Sequence, residues 1–361
     1  MSAQIRVLVV DDSALVRKVI TDLLESDPLI KVVGTAENGE VAIRLTEKLN
    51  PDVITMDIEM PVLDGLTALK RIIATNPKPV IMMSIYTQHG AEETFKALEY
   101  GAVDFIPKPS SIMSMSVGEV AEQLRTKVKS VYKSRVGVAD MQARARTGAA
   151  VAPGVQEKKP ANQQIRSFDR KSSSSRIVGI GTSTGGPAAL MQVFSSLPDN
   201  FPSTVLVVQH MPEGFTKAFA ERLNMLSRLR VKEAEDMDPI EPGRGYVAPG
   251  NMHIGVEEKN NKRYVRVFNS DKVSGHRPSI DVMFNSLAST AGKDVVAVIM
   301  TGMGKDGADG IVRVKEAGGR TIAQNEGTSI VYGMNRVAVE MGGVDDVVPL
   351  SEIPKKIVEY I

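Results

Sequence analysis

The first half of the chain alternates short apolar runs with segments whose apolar residues recur at helical spacing. The apolar runs of strand length are Val7–Val10, Val32-Val33, Val53–Met56, Val80–Met83 and Val103–Ile106. Between them, segments such as Ala14–Leu24 and Gly39–Leu49 place apolar residues three and four positions apart, as amphipathic helices do. Ser13 suits the cap position of the first of these helices. Five strand–helix units in succession predict an α/β domain with a five-stranded, doubly wound parallel sheet over residues 1–125.

The second half repeats the alternation and predicts another domain over residues 177–361. Its candidates for parallel strands are Ile177–Ile180, Val205–Val208, Val295–Met300 and Thr321–Ala323. The middle of this half has a different pattern, because Gly245–Asn251 carries turn signals and Tyr264–Phe268 alternates with a period of two. The pattern predicts a doubly wound, mostly parallel α/β domain with an antiparallel hairpin that spans Gly245–Phe268.

Between the two halves the periodicity disappears, from about Ser134 to Arg176. This stretch is rich in Ser, Ala, Gly and Pro, and it leans basic. Such a composition buries too little apolar surface to fold by itself, so residues 126–176 are predicted to be a flexible linker. The stretch Val117–Tyr132 can extend the last helix of the first domain.

Composition narrows the functional classes. The chain has 361 residues, 42% of them hydrophobic, and a formal net charge of +1, which gives no nucleic-acid signature. The chain has no apolar run of the roughly 18 residues that a membrane span needs, and the run Ile5–Val10 is too short for a signal-peptide core. Because cysteine is absent and only four histidines are present, thiolate nucleophiles and metal cages of Cys or His are disfavoured. We expect a cytoplasmic protein that neither inserts into membranes nor binds nucleic acid.

Polar side chains follow the strands of the first domain at one edge of the predicted sheet. Asp11 and Asp12 end the first strand, Asp57 ends the third, Ser84 ends the fourth, and Lys108 follows the fifth. The ends of parallel strands converge, so we expect these groups to share a pocket. Clustered carboxylates favour a hard divalent cation such as Mg²⁺, and a carboxylate beside such an ion and a lysine can accept a phosphoryl group.

These residues resemble the response-regulator receiver family, whose sheet is flavodoxin-like. The segments that carry the resemblance are Asp11-Asp12-Ser13, Met56–Gly65, Ser84 and Lys108-Pro109. The resemblance implies that Asp57 is the phospho-acceptor. It also implies that Asp12 and the carbonyl group of Glu59 bind Mg²⁺ together with Asp57, and that Asp11 supports the ion. The switch and phosphoryl-contact positions that it implies are Ser84, Phe105 and Lys108.

A serine, a histidine and an aspartate follow three strands of the second domain. Gly181–Gly185 satisfies the G-x-S-x-G pattern, in which a sharp strand-to-helix turn presents the hydroxyl group of Ser183. Serine is a weak nucleophile at neutral pH and needs a base, which His210 can supply, while Asp306 can orient and stabilise the imidazole. Backbone N–H groups at Thr184 and around Met303 can form an oxyanion hole. This arrangement predicts an acyl-transfer hydrolase.

The same glycines allow a rival interpretation. Gly179-Ile180-Gly181 with Gly185-Gly186 resembles a loosened dinucleotide-binding loop, and such a domain would serve as a non-catalytic adaptor that binds a nucleotide or a protein partner. A dinucleotide site needs an acidic residue at the end of the next strand, where this chain has Gln209-His210. That difference favours the hydrolase. Of the remaining histidines, His253 fits a structural role in the hairpin, and His276 lies in a loop that can line the cleft.

The second domain resembles the chemotaxis protein-glutamate methylesterase family, including its glutaminase activity. The matching segments are Gly181–Pro187, Gln209–Pro212, Ala248–His253, His276–Asp281 and Thr301–Gly310. The resemblance implies a serine hydrolase, regulated by phosphorylation, that needs no cofactor in its catalytic domain. By the same resemblance, we expect this hydrolase to demethylate glutamate methyl esters and to deamidate glutamines on methyl-accepting chemotaxis receptors, with a chemotaxis histidine kinase as the phosphodonor. Asn335 stands where the family usually has proline, which we expect to alter a helix start and not the chemistry.

Overall fold

The computed structural model describes residues 4–84, 88–108, 117–133 and 176–361. Contacts divide the chain into two compact units, Met1–Gly154 and Val155–Ile361. Most of the predicted linker, residues 134–175, lies outside the described residues.

The first unit alternates strands and helices as the sequence predicts. Its strands are Ile5–Val10 (β1), Ile30–Ala36 (β2), Val53–Asp57 (β3), Val80–Ser84 (β4) and Asp104–Pro107 (β5). Its helices are Ala14–Glu25 (α1), Gly39–Leu49 (α2), Gly65–Thr75 (α3), Gln88–Glu99 (α4) and Val117–Lys133 (α5). The five strands pair in parallel in the order β2-β1-β3-β4-β5, which is the flavodoxin-like order, and the predicted fold is confirmed. The boundary predicted at residue 125 falls inside α5.

Local chemistry explains where these helices begin. The side chain of Ser13 accepts a hydrogen bond from the N–H group of Val16, and Asp64 accepts one from Thr67, so both residues cap the first turn of a helix. The strands β1, β3 and β4 are almost wholly buried, which explains their near-continuous apolar sequences. As a result, each polar residue at a strand end is held on a rigid support.

The second unit contains a larger sheet and a separate hairpin. Its strands are Ile177–Thr182 (β6), Thr204–Gln209 (β7), Arg230–Glu233 (β8), Arg244–Val247 (β9), His253–Lys259 (β10), Lys262–Phe268 (β11), Val295–Ile299 (β12), Arg320–Gln324 (β13) and Asp346–Val348 (β14). Its α-helices are Gly186–Ser196 (α6), Phe215–Leu226 (α7), Ile280–Ala291 (α8), Ala308–Glu316 (α9), Met334–Glu340 (α10) and Ile353–Tyr360 (α11). The helix α8 packs its apolar residues Met283, Phe284 and Leu287 into the main core of this unit.

The seven-stranded sheet has the order β14-β13-β12-β6-β7-β9-β8, and all of its pairs are parallel. The strand order reverses at β6, which lies between β7 and β12. In open α/β sheets, ligands bind at such a switch point, outside the carboxyl ends of the strands. Functional residues are therefore expected in the loops that follow β6, β7 and β12.

One part of the predicted hairpin is wrong. The antiparallel pair is β10 with β11, whereas Gly245–Val247 belongs to β9 and pairs in parallel with β7. The turn signals that suggested a hairpin begin only after this strand, at Pro249-Gly250. Tyr246 and Val247 are buried in the sheet, so tertiary packing decides their pairing. Among the described helices, none is long and apolar enough to cross a bilayer.

Candidate active sites

The structure brings the predicted serine, histidine and aspartate to the switch point of the large sheet. Ser183 follows β6, His210 follows β7, and Asp306 lies in the loop between β12 and α9. Because β6 is hydrogen-bonded to both β7 and β12, the three loops are neighbours. Asp306 is 1% exposed, so its carboxylate is removed from solvent.

The turn that carries Ser183 is tight. Gly185 has a φ of +76°, in the left-handed region that favours glycine, and α6 begins at the next residue. A Cβ atom added at Gly186 would lie 2.0 Å from Oε1 of Gln209, so this position also requires glycine. The two glycines therefore allow the close packing of the turn that presents Ser183.

Gln209 joins the serine and histidine loops, a role that the sequence analysis did not assign. Its Nε2 donates to the carbonyl groups of Ser183 and His210, each at 3.0 Å, and its Oε1 accepts a 2.6 Å hydrogen bond from the hydroxyl group of Thr182. Gln209 occupies the position where a dinucleotide site would need an acidic residue. Its amide is fully used within the protein, which weakens the nucleotide interpretation.

His210 and Asp306 form a direct pair. Nε2 of His210 lies 2.8 Å from Oδ2 of Asp306, and the side chain of His210 is 7% exposed. An ionised carboxylate can only accept, so Nε2 carries the proton and Nδ1 is the basic nitrogen. Within the described residues, Nδ1 is buried and has no hydrogen-bond partner. The structure thus joins two of the three predicted residues by a hydrogen bond, and the hydroxyl group of Ser183 is not bonded to Nδ1.

The start of α8 holds the carboxylate of Asp306 in place. The hydroxyl group of Ser279 donates to Oδ1 at 2.7 Å, and the N–H groups of Ile280 and Asp281 donate to Oδ2 and Oδ1 at 2.7 and 3.2 Å. Burial works to raise the pKa of Asp306, but its bond to His210 and the donors on α8 outweigh burial and lower that pKa. Ser279 carries the signal of a helix cap, but the sequence alone does not reveal that it and the N–H groups after it bind Asp306.

Asp281 lies beside the carboxylate of Asp306 and differs from it in the direction of its pKa shift. Its Oδ1 accepts a 2.7 Å hydrogen bond from the N–H group of Gly310, and its side chain is buried. Burial and the adjacent negative charge of Asp306 raise the pKa of Asp281. The two aspartates therefore differ in proton affinity, and Asp306 is the one that stays ionised to face His210.

The two remaining histidines of this unit have different surroundings. His253 is fully buried, its Nδ1 accepts from the N–H group of Ser279 at 3.2 Å, and its Nε2 lies 3.0 Å from the carbonyl oxygen of Asp271. Both ring nitrogens are satisfied within the protein, so His253 is structural. His276, in contrast, stacks on the ring of His210, with the ring centroids 3.7 Å apart.

Thr301 supports the serine turn from the side of β12. Its carbonyl group accepts a 3.0 Å hydrogen bond from the N–H group of Ser183, and its hydroxyl group donates to the carbonyl group of Thr184 at 2.9 Å. Within the described residues, the N–H group of Thr184 has no hydrogen-bond acceptor. The side chain of Met303, in the next turn, is 38% exposed. The two predicted oxyanion-hole positions therefore lie on loops that Thr301 connects.

Asn335 is buried in α10 and is connected to Thr301 through Gln324. Its Nδ2 donates to the carbonyl group of Gln324 at 2.7 Å and to the hydroxyl group of Ser329 at 2.9 Å. Gln324 in turn accepts a 2.8 Å hydrogen bond from the N–H group of Thr301 through its Oε1. Asn335 lies one residue after the start of the helix and makes contacts that a proline could not make.

The acidic residues of the first unit also meet, as predicted. Asp11, Asp12 and Asp57 offer carboxylate oxygens within 4.8 Å of one another. Nζ of Lys108 lies 2.9 Å from Asp11 and 2.5 Å from Asp57. Burial raises the pKa of Asp57 to about 6 despite this lysine, whereas the two carboxylates outweigh burial and raise the pKa of Lys108. Three clustered carboxylates form an all-oxygen donor set that suits Mg²⁺.

The remaining predicted residues of the first unit line the cavity at the aspartate cluster or are buried on a neighbouring strand. Glu59 and Ser84 line a cavity of about 170 Å³ together with Asp12, Asp57 and Lys108. Oγ of Ser84 donates to the carbonyl group of Gly90 at 3.1 Å. Phe105 is buried and packs edge to face against Phe95, with the ring centroids 6.1 Å apart. Ser84 and Phe105 lie on the neighbouring strands β4 and β5.

A larger cavity of about 560 Å³ lies elsewhere in the second unit. Its lining includes Arg176, Thr204, Ile240 and Tyr264. Arg176 precedes β6 and Thr204 begins β7, so this cavity is at the opposite edge of the sheet from Ser183 and His210. The larger of these two cavities therefore does not contain the predicted residues of the candidate site.

Comparison with known proteins supports the two family resemblances that the sequence shows. The protein-glutamate methylesterase/protein-glutamine glutaminase of Pyrococcus abyssi is 45% identical over 358 residues, which cover 99% of this chain and 94% of the relative. The chain belongs to the protein-glutamate methylesterase/protein-glutamine glutaminase family. The family model of the CheB methylesterase matches residues 178–357, and that of the response regulator receiver domain matches residues 7–116. Both resemblances drawn from the sequence are confirmed.

Two further comparisons extend over the same regions. The family member of Carboxydothermus hydrogenoformans is 45% identical over 362 residues, covering 99% of this chain and 99% of the relative. The crystal structure of the Thermotoga maritima CheB methylesterase catalytic domain is similar with a TM-score of 0.51 and 45% identity. It covers 52% of this chain and 98% of that domain. The family and the fold of the second unit thus agree with the site geometry.

Proposed function

We propose that the second unit hydrolyses γ-carboxyl methyl esters of glutamate on chemotaxis receptors through Ser183, His210 and Asp306. The observation that carries this proposal is the buried His210–Asp306 pair, which lies on loops next to the one that carries Ser183 and leaves Nδ1 of His210 without a hydrogen-bond partner among the described residues. The names of the relatives give protein glutamates and glutamines as the groups acted on. The receptors enter the proposal through the resemblance to the chemotaxis methylesterase family. The residues themselves support acyl transfer.

In the proposed reaction, Oγ of Ser183 attacks the ester carbon while Nδ1 of His210 takes the hydroxyl proton. The carbon–oxygen bond to the methoxy group then breaks, and His210 returns the proton so that methanol leaves. Water attacks the resulting acyl-enzyme, again with His210 as base, and releases glutamate and free Ser183. On a glutamine side chain the same sequence breaks the carbon–nitrogen bond and releases ammonia. Asp306 stabilises the imidazolium that forms in each step.

The developing oxyanion needs donors that are already in place. The N–H group of Thr184 is the first candidate, because it follows the nucleophile directly and is not used elsewhere in the described residues. Met303 supplies the second, from the loop after β12. A donor of this kind contributes about 2.7–4 kcal/mol to transition-state stabilisation. Thr301 binds the carbonyl group of Thr184 and therefore holds the first donor relative to the second loop.

The proposal is tested by incubating the full chain with receptor that carries isotopically labelled methyl esters. We expect labelled methanol to be released and the receptor glutamates to be regenerated, and we expect ammonia from susceptible glutamines. Binding of a nucleotide is measured in parallel by calorimetry. A chain that binds nucleotide but releases neither methanol nor ammonia would instead support the adaptor interpretation.

We further propose that the first unit accepts a phosphoryl group on Asp57 and that this reaction regulates the hydrolase. Asp11, Asp12 and Asp57, with the carbonyl group of Glu59, would hold Mg²⁺, which neutralises phosphoryl charge when bound. A carboxylate oxygen of Asp57 forms the new bond to phosphorus as the phosphorus–nitrogen bond of a phosphohistidine donor breaks. Lys108 lies against Asp57 and can pair with the added charge. The phosphoryl donor that the family implies is a chemotaxis histidine kinase, and we propose that the transfer takes place in the cytoplasm.

Replacing Asp57 with asparagine should abolish phosphorylation, because the amide cannot form the acyl phosphate. Transfer is measured with radiolabelled acetyl phosphate and Mg²⁺ on the full chain. Asp22→Asn is the matched control, since Asp22 lies exposed on α1 and, among the described residues, forms an ion pair only with Lys18. We expect background incorporation for Asp57→Asn and normal incorporation for Asp22→Asn. Label that persists in Asp57→Asn would refute the assignment.

A further inference from the structure

A short projecting turn carries His276 to the catalytic histidine. In residues 273–276, Val273 and His276 exchange two backbone hydrogen bonds of 3.1 and 2.9 Å. The two residues between them, Ser274 and Gly275, have positive φ values of 52° and 81°, as a type I′ turn requires. This local geometry gives the turn a defined conformation, so the position of His276 is set by the backbone.

The half-buried side chain of Arg277 and the buried side chain of His253 hold this turn against the rest of the unit. The guanidinium group of Arg277 donates to the carbonyl group of Ser270 at 2.7 Å and to Oδ1 of Asn251 at 2.7 Å. Nε2 of His253 binds the carbonyl group of Asp271 at 3.0 Å. His253 also accepts a hydrogen bond from Ser279, which itself holds Asp306. One connected set of contacts therefore positions the turn and the carboxylate of the His210–Asp306 pair.

The rings of His276 and His210 lie nearly parallel, at 10°, with their centroids 3.7 Å apart. We infer that His276 is a positioning residue whose flat ring fixes the plane of His210, so that Nδ1 is held in the single orientation from which it takes the proton of Ser183. Hydrogen bonding to Asp306 restrains His210 at a single atom, and rotation about that bond would move Nδ1 away. Face-to-face contact over the whole ring removes this freedom.

The stack also suits the charge that His210 acquires during the reaction. The charged or titratable groups that act on His276 are His210, Asp306 and Lys272. Burial, followed by the charge of His210, lowers the pKa of His276 to about 4, so His276 stays neutral when His210 takes the proton. A neutral aromatic face attracts an adjacent cation, whereas a second imidazolium would repel it.

This inference rests on the proposed hydrolase function, and a matched pair of variants tests it. His276→Phe keeps a flat aromatic face without a titratable group, and His276→Leu fills a similar space without a flat face. We expect His276→Leu to lower kcat for methanol release by about 10- to 100-fold with little change in KM, the scale of a misplaced catalytic group. We expect His276→Phe to restore most of the wild-type kcat.

Other outcomes would overturn the inference. Equal kcat values for His276→Leu and the wild type would show that stacking is dispensable. A raised KM with an unchanged kcat would assign His276 to substrate contact, and equal losses in both variants would assign the effect to a ring nitrogen. Urea unfolding of each full-length variant checks that the fold is kept. Wild-type chain and Ser183→Ala run in the same assay, so failure of the hydrolase proposal appears as absent wild-type turnover and is distinguished from failure at His276.

Discussion

Replacing Ser183 with alanine should lower methanol release by about 10⁴- to 10⁶-fold, the loss seen when the nucleophile of a serine hydrolase is removed. The substitution deletes the atom that forms the acyl-enzyme, while His210 and Asp306 keep their 2.8 Å contact. The chain has no cysteine, so no thiol can replace the serine. Steady-state methanol release from methylated receptor measures the effect.

Ser195→Ala is the matched control for this experiment. Ser195 is an exposed serine on α6, the helix that follows the nucleophile turn, and its hydroxyl group bonds only to the carbonyl group of Gln192 in the described structure. We expect Ser195→Ala to keep the wild-type rate. If Ser183→Ala also kept a rate near that of the wild type, Ser183 would not be the nucleophile.

Replacing Asp306 with asparagine should lower kcat by about 10⁴-fold, as the corresponding change does in a serine protease. The carboxylate accepts from His210, from the hydroxyl group of Ser279 and from the N–H groups of Ile280 and Asp281. An amide offers one oxygen where two are needed, and its NH₂ group would face donors. The proton on His210 would then move to Nδ1, where it blocks removal of the serine proton.

The control for this prediction is Asp309→Asn. Asp309 is exposed in the first turn of α9, three residues after Asp306. We expect this control to keep wild-type kcat and both variants to unfold cooperatively in urea. A loss of less than about tenfold for a folded Asp306→Asn would contradict the proposed role of the carboxylate.

The two sheets and the positions of the candidate site residues could be predicted from the sequence for one physical reason. Apolar runs mark buried parallel strands, and polar residues directly after them must fall at the same edge of a sheet. Ser183, His210 and Asp57 are therefore placed by their distance from a strand end. The short strands β8 and β14 carry charged residues and lie at the two edges of the sheet, so their pattern gives no comparable signal.

Contacts between distant loops could not be predicted in this way. The position of Asp306 in a Gly-rich loop at a strand end suggests that it orients His210, but only the fold shows that Nε2 faces the carboxylate while Nδ1 has no partner among the described residues. Likewise, Ser279 has the pattern of a helix cap, and its second bond to Asp306 depends on packing between residues 27 positions apart. The stacking of His276 on His210 depends on a turn whose direction the sequence does not specify.

The most direct test of the central claim is covalent labelling of the full-length wild-type chain with a fluorophosphonate that reacts with activated serines. Mass spectrometry of the digested protein locates the adduct, and His210→Ala is labelled in parallel. The account predicts one rapid adduct on Ser183 that is lost in His210→Ala, because Nδ1 activates this hydroxyl group. An adduct on another serine, or equal labelling of Ser183 without His210, would contradict it.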